Sequence, residues 1–201
     1  MRQYNHLVGK RIILGKYEQE REDKDPVVWT VLDVKGSLLL LCTDTMIEVM
    51  CWDEDADWTT CQWKDSSAYR YLNSEIFLDL FSETEQIIIE ASDCLSKKDE
   101  DEGGLFLLSE EQLNQYAHLL FGPSKGYRTE YVKKNSYSDS CWLRSDYRDP
   151  RLAFCFSMKE NKLIIEEDDK FNNLCVRPAM WIDADLLEEF LPEVLREFEI
   201  T

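Results

Sequence analysis

The sequence predicts an α+β domain with short, mostly antiparallel strands, two or three packed helices and a C-terminal amphipathic helix. Three observations predict it. The first fifty residues carry β-branched, aromatic and apolar runs punctuated by a Lys35-Gly36 turn signal. The middle carries serine helix starts at Ser66, Ser82 and Ser109, the last two followed three residues later by Glu85 and Gln112. The C-terminal half holds two aromatic, strand-like runs, each with one arginine: Cys141-Trp142-Leu143-Arg144-Ser145 and Val176-Arg177-Pro178-Ala179-Met180-Trp181.

Taken in order, residues 11–17 read as a first strand, interrupted near its end by Gly15. A charged loop closed by Pro26 leads to a hairpin of residues 27–34 and 37–42, with a well-buried second strand. Residues 46–51 add a short strand. The acidic stretch 53–64 is a loop packed by Trp52, Trp58 and Trp63. Ser66 caps a helix through Leu80, with Tyr69, Leu72, Ile76, Phe77 and Leu80 on one face. A short helix after Ser82 is expected to give way to a strand at 87–90. Residues 92–102 form a polar loop ending at Gly103-Gly104, followed by a short strand at 105–108. Ser109 opens a helix to about Leu120, stopped by Gly122-Pro123. Residues 127–140 read as irregular. Strands are expected at 142–145, 153–157 and 163–166, with Asn161 in the turn between the last two, and a final strand at 176–182. Asp183 caps the last helix, whose apolar set is Leu186, Leu187, Phe190, Leu191, Val194, Leu195 and Phe198, and Pro192 should kink or break it. The chain thus divides into a domain at 1–182 and a helical extension at 183–201 packed on it.

Composition narrows the function. With 201 residues the chain can bury a core without staples. A net charge of −18, from 41 acidic and 23 basic residues, repels phosphate backbones and argues against a nucleic-acid partner. It fits a solvated acidic surface, or an acidic face for a basic partner protein. No apolar run opens a signal peptide or approaches a membrane span of ~20 residues, so a cytoplasmic protein without membrane contact is expected. The seven cysteines include no Cys-x-x-Cys pair and read as reduced, mostly buried thiols, with no structural disulfide or zinc site.

The residues that could carry chemistry are few. A guanidinium stays charged, so Arg144 and Arg177 each need a partner. They are either buried braces between strands and loops or recognise an anionic group. Trp29, Trp142 and Trp181 belong to the core, whereas Trp58 and Trp63, in a polar loop, are the candidates for exposure and ligand contact. The run Asp53-Glu54-Asp55-Ala56-Asp57 alternates carboxylates as calcium loops do. It has Trp58 where a turn glycine is needed and Lys64 where a bidentate glutamate is needed. Neither a nucleophile elbow nor a phosphate-cradling glycine loop is present.

The order of Gly15-Lys16-Tyr17, Trp29-Thr30-Val31-Leu32-Asp33, Leu39-Leu40-Leu41, Leu72-Asn73-Ser74, Phe106-Leu107-Leu108-Ser109, Trp142-Leu143-Arg144-Ser145 and Val176-Arg177-Pro178-Ala179-Met180-Trp181 resembles a bacterial family, the domain of unknown function six-two-seven-three. The resemblance runs over roughly residues 11–182 and implies no established activity. More distantly, the closing pattern is similar to C-type-lectin-like proteins, including the formylglycine-generating-enzyme group, which implies a C-type-lectin-like mixed fold. The catalytic branches of that group use a close cysteine pair for copper or three histidines for iron. Only His6 and His118 exist here, and no cysteine spacing suggests a copper pair. The expected function is a non-catalytic binding or protein-interaction module without a cofactor, its partner a protein, with a basic protein among the candidates. A thiol- or metal-dependent enzyme and a small acidic immunity or inhibitor protein are the alternatives.

Overall fold

A computed structural model describes residues 4–18, 24–54, 62–96, 102–121, 129–135, 138–146, 149–159 and 162–195. It is an α+β fold built on two sheets. The first has the order β1 (Arg11–Glu18), β2 (Lys24–Lys35), β3 (Leu38–Thr43), β9 (Ala179–Asp183), and every pair in it is antiparallel. The second has the order β4 (Glu48–Met50), β8 (Leu174–Val176), β5 (Cys141–Asp146), β6 (Leu152–Lys159), β7 (Lys162–Asp169). Its one parallel pair is β5 with β8, where Cys141 lies opposite Cys175.

The hairpin read from Lys35-Gly36 is β2–β3. β3 is buried along its whole length because β2 and β9 flank it on both sides. This is why Leu38-Leu39-Leu40-Leu41 runs apolar without alternation. β1 is an edge strand. Its register with β2 slips between Ile13 and Lys16, and Gly15 sits there with φ +74°. A side chain at Gly15 would place Cβ 2.7 Å from the Leu80 carbonyl oxygen, so the bulge lets the strand edge meet the helices beside it.

Five expectations are corrected. The residues 87–90 are not a strand and the residues 92–96 are not a loop; both lie inside α3 (Glu83–Ser96). The β-branched character of 87–90 is overruled by a reciprocal cap, in which the Ser82 amide donates to Glu85 Oε2 (2.7 Å) and the Glu85 amide to Ser82 Oγ (3.5 Å). The helix also buries Ile88, Ile89 and Ser92 against β9 while Ile87 stays 66% exposed. Residues 127–140 are not wholly irregular, since they include α5 (Glu130–Asn135). Residues 105–108 make a single bridge, Phe106 opposite Ala179, rather than a strand. The run 176–182 is two strands in different sheets, because Pro178 supplies no amide hydrogen to continue the ladder. The expected turn at Asn161 and the stop at Gly122-Pro123 lie outside the described residues.

The helix capped by Ser66 is α1 (Ser67–Tyr71), a π turn (Leu72–Ile76) and α2 (Phe77–Leu80) in unbroken succession. Within that π turn Asn73 takes over a loop. Its Nδ2 donates to the Tyr69 and Leu105 carbonyls, and its Oδ1 accepts from the Leu105 amide (2.7 Å). Helix α4 (Glu110–Leu120) opens with the full Ser109–Gln112 capping box. Asp183 caps α6 (Ala184–Phe190) by accepting from the Leu186 amide, and the helix ends two residues before Pro192. Phe198 lies outside the described residues.

Candidate functional site

Four of the expected site residues are structural in their contacts. Trp29, Trp142 and Trp181 are buried, and each indole N–H finds an acceptor: Leu14 O (2.8 Å), Met50 O (3.0 Å) and Glu102 Oε2 (2.5 Å) respectively. Arg177 is 3% exposed and donates through Nε and Nη2 to the Thr43 carbonyl (3.0 and 2.6 Å) and through Nη2 to the Asp44 carbonyl (3.1 Å). It ties the link between β8 and β9 to the end of β3. The exposure expected of Trp63 is corrected: it is 2% exposed, packed on Trp52 (5.8 Å between ring centroids) and Tyr69 (5.7 Å). A 3₁₀ turn at Trp63–Asp65, closed by the Ser66 cap, folds the indole inward. Trp58 lies outside the described residues, as does most of the acidic run after Glu54.

Arg144 belongs to a brace. Its Nη1 donates to the Leu107 carbonyl (3.0 Å) and Gln112 Oε1 (2.5 Å), and its Nη2 to Glu102 Oε1 (2.9 Å). Glu102 Oε1 also accepts from Gln112 Nε2 (2.9 Å), and Oε2 from the Trp181 indole. One carboxylate thus joins both sheets and α4 to the Gly103-Gly104 loop. Both charges are nearly buried and neutralise each other.

A second buried carboxylate is built differently. Glu48 begins β4 and is 6% exposed. Tyr17 on β1 donates its hydroxyl to Glu48 Oε2 (2.6 Å), Tyr131 on α5 donates to Oε1 (3.1 Å), and the Val49 amide also donates to Oε1 (2.8 Å). No lysine or arginine among the described residues pairs with it. The Tyr17 side chain points inward through the strand alternation of β1, and α5 lies against β4 to bring Tyr131 in. Burial, then the Glu48 charge, push the Tyr131 phenol up to about 12. Burial raises Tyr17 further, reinforced by its hydrogen bond to Glu48.

The cluster backs onto a cavity of about 430 Å³ lined by Tyr17, Tyr71, Glu75, Ile76, Leu78 and Asp79. Tyr71 ends α1, and its phenol is raised by burial and then by the charges of Glu48, Glu75 and Asp79. Leu78 and Asp79 also border a neighbouring, more apolar cavity of about 620 Å³ that runs beside the β1 bulge past Leu14, Gly15, Phe81 and Val194. The two cavities share Leu78 and Asp79 in their linings, and both touch the edge strand β1. Lys24 reaches the larger one from β2 and is paired with Asp79. Sequence reasoning missed this site because its residues come from β1, β4, α5 and the helical run of α1, the π turn and α2. A lone glutamate in the apolar run Met46-Ile47-Glu48-Val49-Met50 was the available signal.

Thiols lie elsewhere. Cys141 and Cys175 are buried, and burial followed by the neighbouring Cys175 raises the Cys141 thiol well above its ordinary value. Cys51, half-buried, is raised by burial and by Glu54. Among the described residues no three His, Cys, Asp or Glu side chains converge as a metal-ligand set, and no helix is long and apolar enough to cross a membrane.

The sequence model of one protein family, described as Domain of unknown function (DUF6273), matches residues 36–184. No curated protein and no solved structure matches the chain. The likeness to C-type-lectin-like proteins therefore rests on the sequence pattern alone.

Proposed function

The chain belongs to the DUF6273 family, whose description assigns no activity, and we propose that it is a non-catalytic protein-interaction module whose partner presents a basic surface. The observation that carries this reading is Glu48. It is a buried carboxylate held by hydroxyl and amide donors, without a paired cation among the described residues, behind an acidic, tyrosine-lined cavity. Among the described residues no cation pairs with it, and it is one of the 41 carboxylates behind the net charge of −18. Such a field raises the encounter rate with a cationic partner more than it deepens the bound state.

A thiol enzyme would need an accessible cysteine with a lowered pKa. Cys51 and Cys141 are both shifted the other way. That favours the binding reading over catalysis at these thiols.

The test uses the full chain and a partner isolated from the native host and purified. The association rate should fall roughly tenfold between 50 and 300 mM salt, with the dissociation rate nearly unchanged. An association rate indifferent to salt, or turnover of the partner, would refute the reading.

A further inference from the structure

Resting on that reading, we infer that the Tyr17–Tyr71 cavity is the recognition pocket for one arginine side chain of the partner protein, with the adjoining apolar cavity taking its hydrophobic neighbours in sequence. The inference comes from what the cavity juxtaposes. Tyrosine rings attract a guanidinium through the negative potential of their faces, and a carboxylate at the rim receives its forked N–H donors. Tyr17 and Tyr71 line the cavity together with the exposed acidic residues Glu75 and Asp79. Glu48, fixed behind Tyr17 through the hydroxyl, adds negative charge without occupying the space. A cavity of about 430 Å³ holds a guanidinium with its alkyl stem and leaves room for water.

Two further observations fit a partner segment rather than a small cation. Leu78 is 65% exposed and lines both cavities, so it offers a partner segment an apolar contact between them. The larger cavity beyond it is walled by Ile13, Leu14, Leu80 and Phe81 along the edge strand β1. An extended segment with an apolar residue followed by arginine spans that change from apolar to acidic. Lys24 is the built-in competitor, because it holds Asp79 from the strand side.

The experiment titrates the full chain with N-acetyl-arginine amide while the ring resonances of Tyr17 and Tyr71 are followed by NMR. N-acetyl-citrulline amide, the neutral isostere, is the control. Saturable shifts with a Kd on the order of 1 mM are expected for so small a probe. Citrulline should bind at least tenfold more weakly, and so should the arginine probe to the Glu75→Gln, Asp79→Asn double variant. Both substituted residues are exposed, so folding is preserved. Lys24→Ser should tighten binding by releasing Asp79. Absence of shifts at 20-fold the expected Kd, or equal binding of citrulline, overturns the arginine pocket. A partner that still binds with salt-dependent kinetics after such a failure would dock elsewhere on the acidic surface, leaving the broader reading intact. Arginine binding without any salt-steered partner would instead refute the broader reading alone.

Discussion

Glu102 and Glu48 are both glutamates that folding removes from water, and the fold treats them in opposite ways. Glu102 meets Arg144 at 2.9 Å and fills its remaining lone pairs with Gln112 and Trp181. Its charge is cancelled, and what remains is a joint between two sheets and a helix. Glu48 receives only neutral donors, two tyrosines and one amide. Its charge is solvated but not cancelled, so its field reaches the tyrosines around it and the cavity beyond. The difference teaches that burial of a carboxylate does not by itself mark a site; the sign left over after its partners are counted does.

The largest effect should come from breaking the cancelled pair. Arg144→Met leaves Glu102 charged, nearly buried and short of a cation, which costs about 3 kcal/mol by the precedent of broken buried ion pairs. Adding Glu102→Leu removes the orphan charge and should restore a good part of the loss, although it also removes the Trp181 indole bond to Glu102. Urea unfolding of the single and double variants measures both. A double variant no more stable than the single one would mean that Arg144 acts through packing over Phe106, whose ring it covers at 5.3 Å, rather than through charge.

Much of this contrast could be read in part beforehand. Arg144 and Arg177 stood out because a permanent charge inside an aromatic run demands a partner, and both have one. The serine starts at 82 and 109 were legible because a cap is a local exchange between residues three apart. The strand expected at 87–90 failed because an isoleucine run carries the same composition in a strand and on a helix face, and the packing against β9 decides. Pro178 held the information that the last strand divides, but only topology shows that the halves join different sheets. Glu102 was hidden among acidic neighbours whose composition suggested nothing but a solvated loop. The site around Glu48 was illegible for a different reason: Tyr17, Glu48, Tyr71 and Tyr131 share no spacing, and only the tertiary fold collects them.

A smaller effect separates the two glutamates by a substitution that keeps shape and removes charge. At position 102, glutamine would remove the carboxylate that meets Arg144 at 2.9 Å. Glu48→Gln leaves no orphan cation among the described residues and retains one oxygen acceptor for the hydroxyl and amide donors, so the cost should stay near ~1 kcal/mol. The phenols report the change. Tyr131, near 12 by burial and by the Glu48 charge, should titrate lower in the variant, and Tyr71 should follow. NMR titration of ring-labelled tyrosine reads both. Unmoved phenols would show that the Glu48 charge is already compensated in the native protein.

The smallest effect concerns Asp93, a carboxylate between these extremes. It lies on α3 and accepts from the Gly104 amide at 2.7 Å, so it anchors the loop that delivers Glu102. Burial, aided by Glu90, raises it to about 6 from an ordinary value of 3.8, against the pull of the Gly104 amide and Lys64. Between those two values the folded protein holds a proton that the unfolded chain has released. Stability attributable to Asp93 is therefore greatest below pH 4, falls as pH rises through the window, and is level above about 6. An asparagine side chain in its place cannot ionise but can still accept from the Gly104 amide. Asp93→Asn should be more stable than the parent at pH 7.5 by about 1 kcal/mol, once partial solvent access is allowed for, and equal to it near pH 4. Denaturation midpoints at the two pH values measure this. A difference that is independent of pH would assign Asp93 a hydrogen-bonding role without a charge cost, and a variant less stable at pH 7.5 would place its ionised form on the stabilising side with Glu102.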